Sequence, residues 1–284
     1  MGIGISPRPN PHYVSMMKRN SLPIFFLLTF AITWAMWVPA ALTKLNGGAS
    51  ILGPDNPVGQ LGRWAPGIAA IIITAIIAGK QGIGVLFRPL KIWRVNIGWY
   101  LVALFYQPLL FLFARWIDSL FGNTYEVVSP LTTVEGPIFF VGLAVVISAI
   151  PGAFMEELGW RGFALPRLQG RNTALIASII LGLLWGAWHI PSMIFFGETN
   201  TLNIIWSVAN FIPSTILFTW LYNNTHGSLL LVTLFHASTQ YSNNFLGTVP
   251  TETANIVNWL AAIVILFVFG VTNASKDSER IQSD

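Results

Sequence analysis

Three polar groups interrupt long apolar stretches of this sequence, and their side chains are of the kinds that activate water. The first lies in MEELGWRGF (155–163), where Glu156, Glu157 and Arg161 follow an apolar run. The second is His189 in LLWGAWHIPS (183–192). The third is LLLVTLFHASTQYSNNF (229–245), which carries His236, Gln240 and Asn243. Ionisable residues in membrane spans are costly and mark function by default. A carboxylate with two imidazoles can take a proton from water directly. It can also do so through a metal, since two His and one Glu make the ligand set of an open catalytic zinc site. Amide or imidazole N–H groups can donate to the oxyanion of a tetrahedral intermediate. The chemistry that fits is peptide hydrolysis inside a membrane.

Helical spacing divides these residues. Successive positions point about 100° apart on a helix, so Glu156 and Glu157 do not share a face. Glu157 and Arg161 are spaced i,i+4 with the acid N-terminal, the favourable order for an ion pair. Trp160 occupies the equivalent position for Glu156. Glu157 is therefore expected to be a paired, structural carboxylate and Glu156 the free one. One turn separates Glu156 from His189, near LQGRN (168–172) with Gly170 as the breaker. If the flanking spans form an antiparallel hairpin, both residues lie about 16 positions from its tip, roughly 25 Å along each arm. Pro166 is expected to bend the first arm. His236, Gln240 and Asn243 share one helical face. Taken singly, each feature has a plainer reading: a helix cap, an interfacial histidine, interhelical hydrogen bonding. Their conjunction on three apolar helices is what points to catalysis.

The elements that must hold these groups are membrane helices. The chain has 284 residues, of which 54% are hydrophobic and only 9% charged, against about 25% charged in soluble domains. Cysteine is absent, which excludes disulfides and thiolate metal sites, and the net charge of +4 offers no case for nucleic acid. A spanning helix needs about 20 apolar residues. Segments 22–42, 62–79, 98–118, 137–155, 173–196, 202–222, 227–246 and 253–272 qualify, so the expected fold is all-α, with about eight transmembrane helices. The first run is too long for a signal peptide, whose apolar core is about 7–15 residues. Most of the fifteen basic residues fall in alternate connecting segments, around Arg8, Lys18 and Arg19, Lys80 to Arg94, Arg161 to Arg171, and Lys276 and Arg280. Such segments face the cytoplasm. The loop with Glu126 and Glu135 carries no Lys or Arg, and Lys44 and Arg63 are left outside. Residues 1–21 and 273–284 are read as loose cytoplasmic tails of one domain, 22–272. FRPLKIWRVNIGWY (87–100) reads as an interfacial segment. His12 falls in the N-terminal tail and His226 in the short loop YNNTHG (222–227).

These motifs resemble the type II CAAX prenyl protease family, also called the CPBP or Abi family of intramembrane proteases. Its pattern of Glu-Glu-x-x-x-Arg, Phe-x-x-x-His and His-x-x-x-Asn on separate helices is matched by Glu156-Glu157 with Arg161, by Trp185 with His189, and by His236 with Gln240. The resemblance covers residues 137–246. It implies that Glu156 and His189 activate water, that His236 and its i+4 partner stabilise the oxyanion, and that Glu157 and Arg161 pair. The family name implies a metalloprotease, in which a divalent ion such as zinc would be held by Glu156, His189 and His236; the alternative is no metal. The implied partners are the lipid bilayer and a membrane-tethered or lipidated peptide, either CAAX-type or bacteriocin-related. Two positions depart from the pattern. Trp185 stands for Phe, which is expected to keep the packing. Gln240 stands for Asn and is one methylene longer, which makes Asn243 a rival donor. Two other readings stay open. An ion-coupled transporter also places Glu and His in spans, though no inverted repeat is visible. A non-catalytic bacteriocin-immunity membrane protein would keep the fold without the chemistry.

Overall fold

The computed structural model describes residues 20–124, 138–246, 251–275 and 281. Among them the regular structure is helical throughout. The α-helices are α1 (Ser21–Leu45), α2 (Gln60–Arg63), α3 (Ala65–Phe87), α4 (Ile97–Ser119), α5 (Ile138–Gly159) and α6 (Leu165–Gln169). They continue with α7 (Ala174–Trp188), α8 (Ile190–Phe195), α9 (Thr201–Ala209), α10 (Phe211–Asn224), α11 (Leu229–Leu246) and α12 (Thr251–Phe269). Six stretches of the described residues are long and apolar enough to cross a membrane: Ser21–Leu45, Ala65–Lys91, Ile97–Ser119, Ala174–Phe195, Thr201–Asn224 and Thr251–Phe269. The chain is a multi-pass membrane protein. These six fall on six of the eight expected spans; the other two expected spans fall on α5 and α11, which carry Glu156 and His236.

Prolines and glycines explain where the spans depart from expectation. The second was expected to end at residue 79. Gly79 does break the helix there (φ 56°), but α3 resumes and runs to Phe87. The fourth, 137–155, was expected to run into the glutamates and to bend at Pro166; the chain continues past them through a π-helical turn, Trp160–Ala164, into α6. Pro166 causes this. Its ring would clash with the carbonyl of Gly162, four residues back, and the wider turn opens the backbone there. The amide of Leu165 accordingly donates to the carbonyl of Trp160. The fifth span breaks between Trp188 and Ile190, just before Pro191, so His189 sits at a helix junction rather than in a helix.

Close approach of small residues brings the site helices together. A Cβ on Gly159 would lie 2.5 Å from backbone and side-chain carbons of Pro66, and one on Gly67 would lie 2.7 Å from the carbonyl oxygen of Met155. The start of α3 therefore crosses the end of α5 with no room for side chains. α11 packs against α4 and α5, and α10 against α7. The residues after α12 were read as loose. Those described are held in place: the amides of Asn223 and Asn224 donate to the carbonyls of Asn273 (2.7 Å) and Ala274 (2.8 Å). Gln169 donates to the carbonyl of Ile281 at 2.8 Å. His12, Glu126 and Glu135 lie outside the described residues.

Candidate active site

Glu156 and Glu157, at the end of α5, are both fully buried. Glu157 Oε1 accepts from Arg161 Nη1 at 2.8 Å and faces His236 Nδ1 at 2.7 Å. Arg161, on the π turn, is also fully buried, and its guanidinium lies between two rings, 4.4 Å from the centre of Trp185 and 3.9 Å from that of Phe218. Its Nε and Nη2 have no hydrogen-bond partner among the described residues. The ring faces replace part of what those groups lack.

Glu156 is not the free carboxylate that helical spacing predicts. Its Oε1 accepts from Arg63 Nε at 2.9 Å, and its Oε2 accepts from Trp185 Nε1 at 3.1 Å. Arg63 is the last residue of α2, 93 positions earlier. Trp185 is more than a packing substitute for Phe, because its indole N–H makes a bond that Phe has no donor to make. His236 Nε2 lies 3.9 Å from Glu156 Oε1. One imidazole thus bridges the two acids, although they occupy different faces of α5.

His189 reaches the site from the α7–α8 junction. Its Nδ1 lies 2.9 Å from the carbonyl of Trp185, which can only accept, so Nδ1 carries the proton and Nε2 keeps its lone pair. No hydrogen bond joins His189 to Glu156, but the two lie within Coulombic reach. A cavity of about 490 Å³ opens beside these groups. Arg63, Trp185, His189, His236 and Gln240 all line it. The amide nitrogen of Gln240 is buried and has no partner among the described residues. The side chain of Asn243, the rival donor, lies outside the described residues.

Three ordered motifs meeting at one cavity agree with what comparison of whole sequences finds. Residues 137–242 match the model of the type II CAAX prenyl endopeptidase Rce1-like family. Over that stretch the chain is similar to this family. A relative named CAAX prenyl protease 2, from Methanococcus maripaludis, is 29% identical over 236 residues, which is 78% of this chain and 83% of the relative. These similarities, with the apolar helices, support a membrane protease, a hydrolase, over the transporter that buried acids also suit.

The metalloprotease expectation is not supported. Among the described residues no group of three or more His, Asp or Glu could hold a metal ion. The Arg63 guanidinium on Glu156 Oε1 would repel a second cation there. The residue that sequence reasoning missed is Arg63. No spacing rule links it to Glu156, and counting basic residues places it in an outer loop.

Proposed function

We propose that the chain hydrolyses a peptide bond of a membrane-tethered, lipidated substrate with a water activated by Glu156 and His189, without a metal. The observation that carries this is the pair of donors, Arg63 and Trp185, that fix both oxygens of Glu156 at the edge of a cavity which His189 also lines. Each carboxylate oxygen keeps a second lone pair for water. Water attacks the carbonyl carbon, and its proton passes to Glu156 or to His189 Nε2. The oxyanion accepts from the Gln240 amide, and from His236 Nε2 when that imidazole is doubly protonated. Collapse breaks the C–N bond, and the held proton moves to the leaving amine. Glu157 and Arg161 hold His236 in place.

The test is cleavage of a prenylated C-terminal peptide by purified protein in liposomes, read by mass spectrometry. Glu156→Gln and His189→Ala are each expected to lower the rate by about 10²- to 10⁴-fold, while a chelator leaves the parent rate unchanged. Full activity in Glu156→Gln would sink the water-activation role. Loss on chelation with recovery on zinc would bring the metal back.

We also propose that both termini face the cytoplasm, from the distribution of Lys and Arg. The cavity is lined by Arg63 of α2, the end of α7 and the first turns of α12, at helix ends opposite the basic segments. In this orientation it opens toward the outer side. The parent has no cysteine, so single cysteines at residues 50 and 92 can be labelled from each side. Labelling of residue 50 from the cytoplasm would reverse the orientation.

A further inference from the structure

Arg63 belongs to none of the three motifs, yet it makes the closest polar contact to Glu156, at 2.9 Å. Among the described residues that carboxylate is its one polar partner, made through Nε alone. Its side chain is 26% exposed, whereas Arg161 in the neighbouring pair is 0% exposed. The two ion pairs are therefore built differently: one is sealed, and the other presents its cation to the cavity.

Everything around Arg63 fixes its backbone. The carbonyl of Gly62 accepts from Thr33 Oγ1 at 2.7 Å, and that hydroxyl accepts from Trp188 Nε1 at 2.7 Å. The carbonyl of Gly59 accepts from Trp37 Nε1 at 2.9 Å. Thr33 and Trp188 are fully buried, and Trp37 nearly so. Trp188 is the residue before His189, so one hydroxyl ties the backbone that carries Arg63 to the backbone that carries His189. The guanidinium lies across Gly152, where a Cβ would be 3.4 Å from Nε and 3.5 Å from Cζ. The Gly67–Gly159 crossing then sets the distance between α3 and α5. Such rigid support is what a carboxylate needs if one rotamer is to face the reacting water.

We propose that Arg63 is a positioning residue of the reaction, holding Glu156 Oε1 in the orientation from which it takes the proton of the attacking water. The inference rests on Glu156 being the base. Its role is geometric, so it acts on turnover and leaves substrate binding alone.

The experiment measures kcat and KM for Arg63→Ala and Arg63→Lys in the liposome assay, with Glu156→Gln alongside. Arg63→Ala is expected to lower kcat by about 10- to 100-fold, the scale of one hydrogen bond to a charged group, with KM within about twofold of the parent. Arg63→Lys keeps the charge without the planar fork and recovers only part of the rate. Guanidinium added at non-denaturing concentration can enter through the cavity, and is expected to restore turnover to Arg63→Ala while leaving the parent unchanged. Thr33→Val, which loses the hydroxyl but keeps the shape, is expected to lower kcat a few-fold. Parent-like kcat in Arg63→Ala overturns the proposal. So does a loss that neither guanidinium nor lysine relieves and that comes with a lower unfolding temperature, which would make Arg63 a structural tie. A Glu156→Gln variant of parent activity instead removes the reading beneath, so the two failures are told apart.

Discussion

Glu156 and Glu157 are adjacent, identical in type and equally buried, and their surroundings differ in one respect. The partners of Glu157 are Arg161, which is sealed between Trp185 and Phe218, and one nitrogen of His236. The donors to Glu156 are Arg63 and Trp185, and both line the cavity. Burial alone therefore does not separate a structural acid from a reactive one. What separates them is whether the cationic partner faces the cavity, as Arg63 does, or the packed interior, as Arg161 does. Glu157 is enclosed on the side where the π turn swings Arg161 inward. Glu156 faces the side where α2 delivers Arg63 from outside the motif-bearing helices.

The sharpest way to break this contrast is to unpair the sealed side. Arg161→Leu leaves Glu157 buried without its guanidinium, and breaking a buried pair costs about 3–5 kcal/mol. The expected result is a large fall in unfolding temperature in detergent, whatever happens to activity. Replacing both partners, with Glu157→Leu and Arg161→Leu together, is expected to recover most of that stability, since no lone charge remains. If Arg161→Leu melts like the parent, the sealed pair is not an anchor and the distinction between the two acids fails. A smaller effect is expected at the cavity. Gln240→Ala removes an amide donor that has no partner among the described residues. Loss of one oxyanion donor costs about 10²- to 10³-fold in kcat, here with unfolding temperature unchanged. An unchanged rate would leave His236 as the donor.

The sequence pattern makes one of the two acids readable and hides the other. The Glu157–Arg161 pair is local, i,i+4 on one helix, and forms at 2.8 Å despite the π turn that begins between them. Histidines in apolar runs are conspicuous, and His189 and His236 both line one cavity. The partners of Glu156 are not local. Arg63 arrives through a short helix whose place depends on Thr33, on Trp188 and on two glycines that allow α3 to touch α5. No periodicity records that. The π turn was hidden for a related reason: Pro166 reads as a bend in the first arm, whereas a π turn absorbs it. The residues after α12 read as polar and loose because their hydrogen-bond partners, Gln169, Asn223 and Asn224, lie about 50 or more positions away.

The smallest effect, and the finest test of the contrast, lies at Trp185, a side chain that touches both acids' networks. Its ring face lies against Arg161 on the sealed side, and its N–H donates to Glu156 on the open side. Trp185→Phe keeps a ring for the guanidinium but removes the donor. A phenyl ring is a weaker cation partner than indole, though it still fills the space, so stability is expected to stay near that of the parent. Glu156 would keep Arg63 and lose one of its two fixed donors, so kcat is expected to fall about three- to tenfold, at or below the low end for a hydrogen bond to a charged group. A drop in unfolding temperature with kcat intact would mean that the indole serves the sealed pair alone. A drop in kcat with stability intact would mean that one residue orients the reactive acid while only packing against the structural one, and that its departure from Phe adjusts catalysis rather than packing.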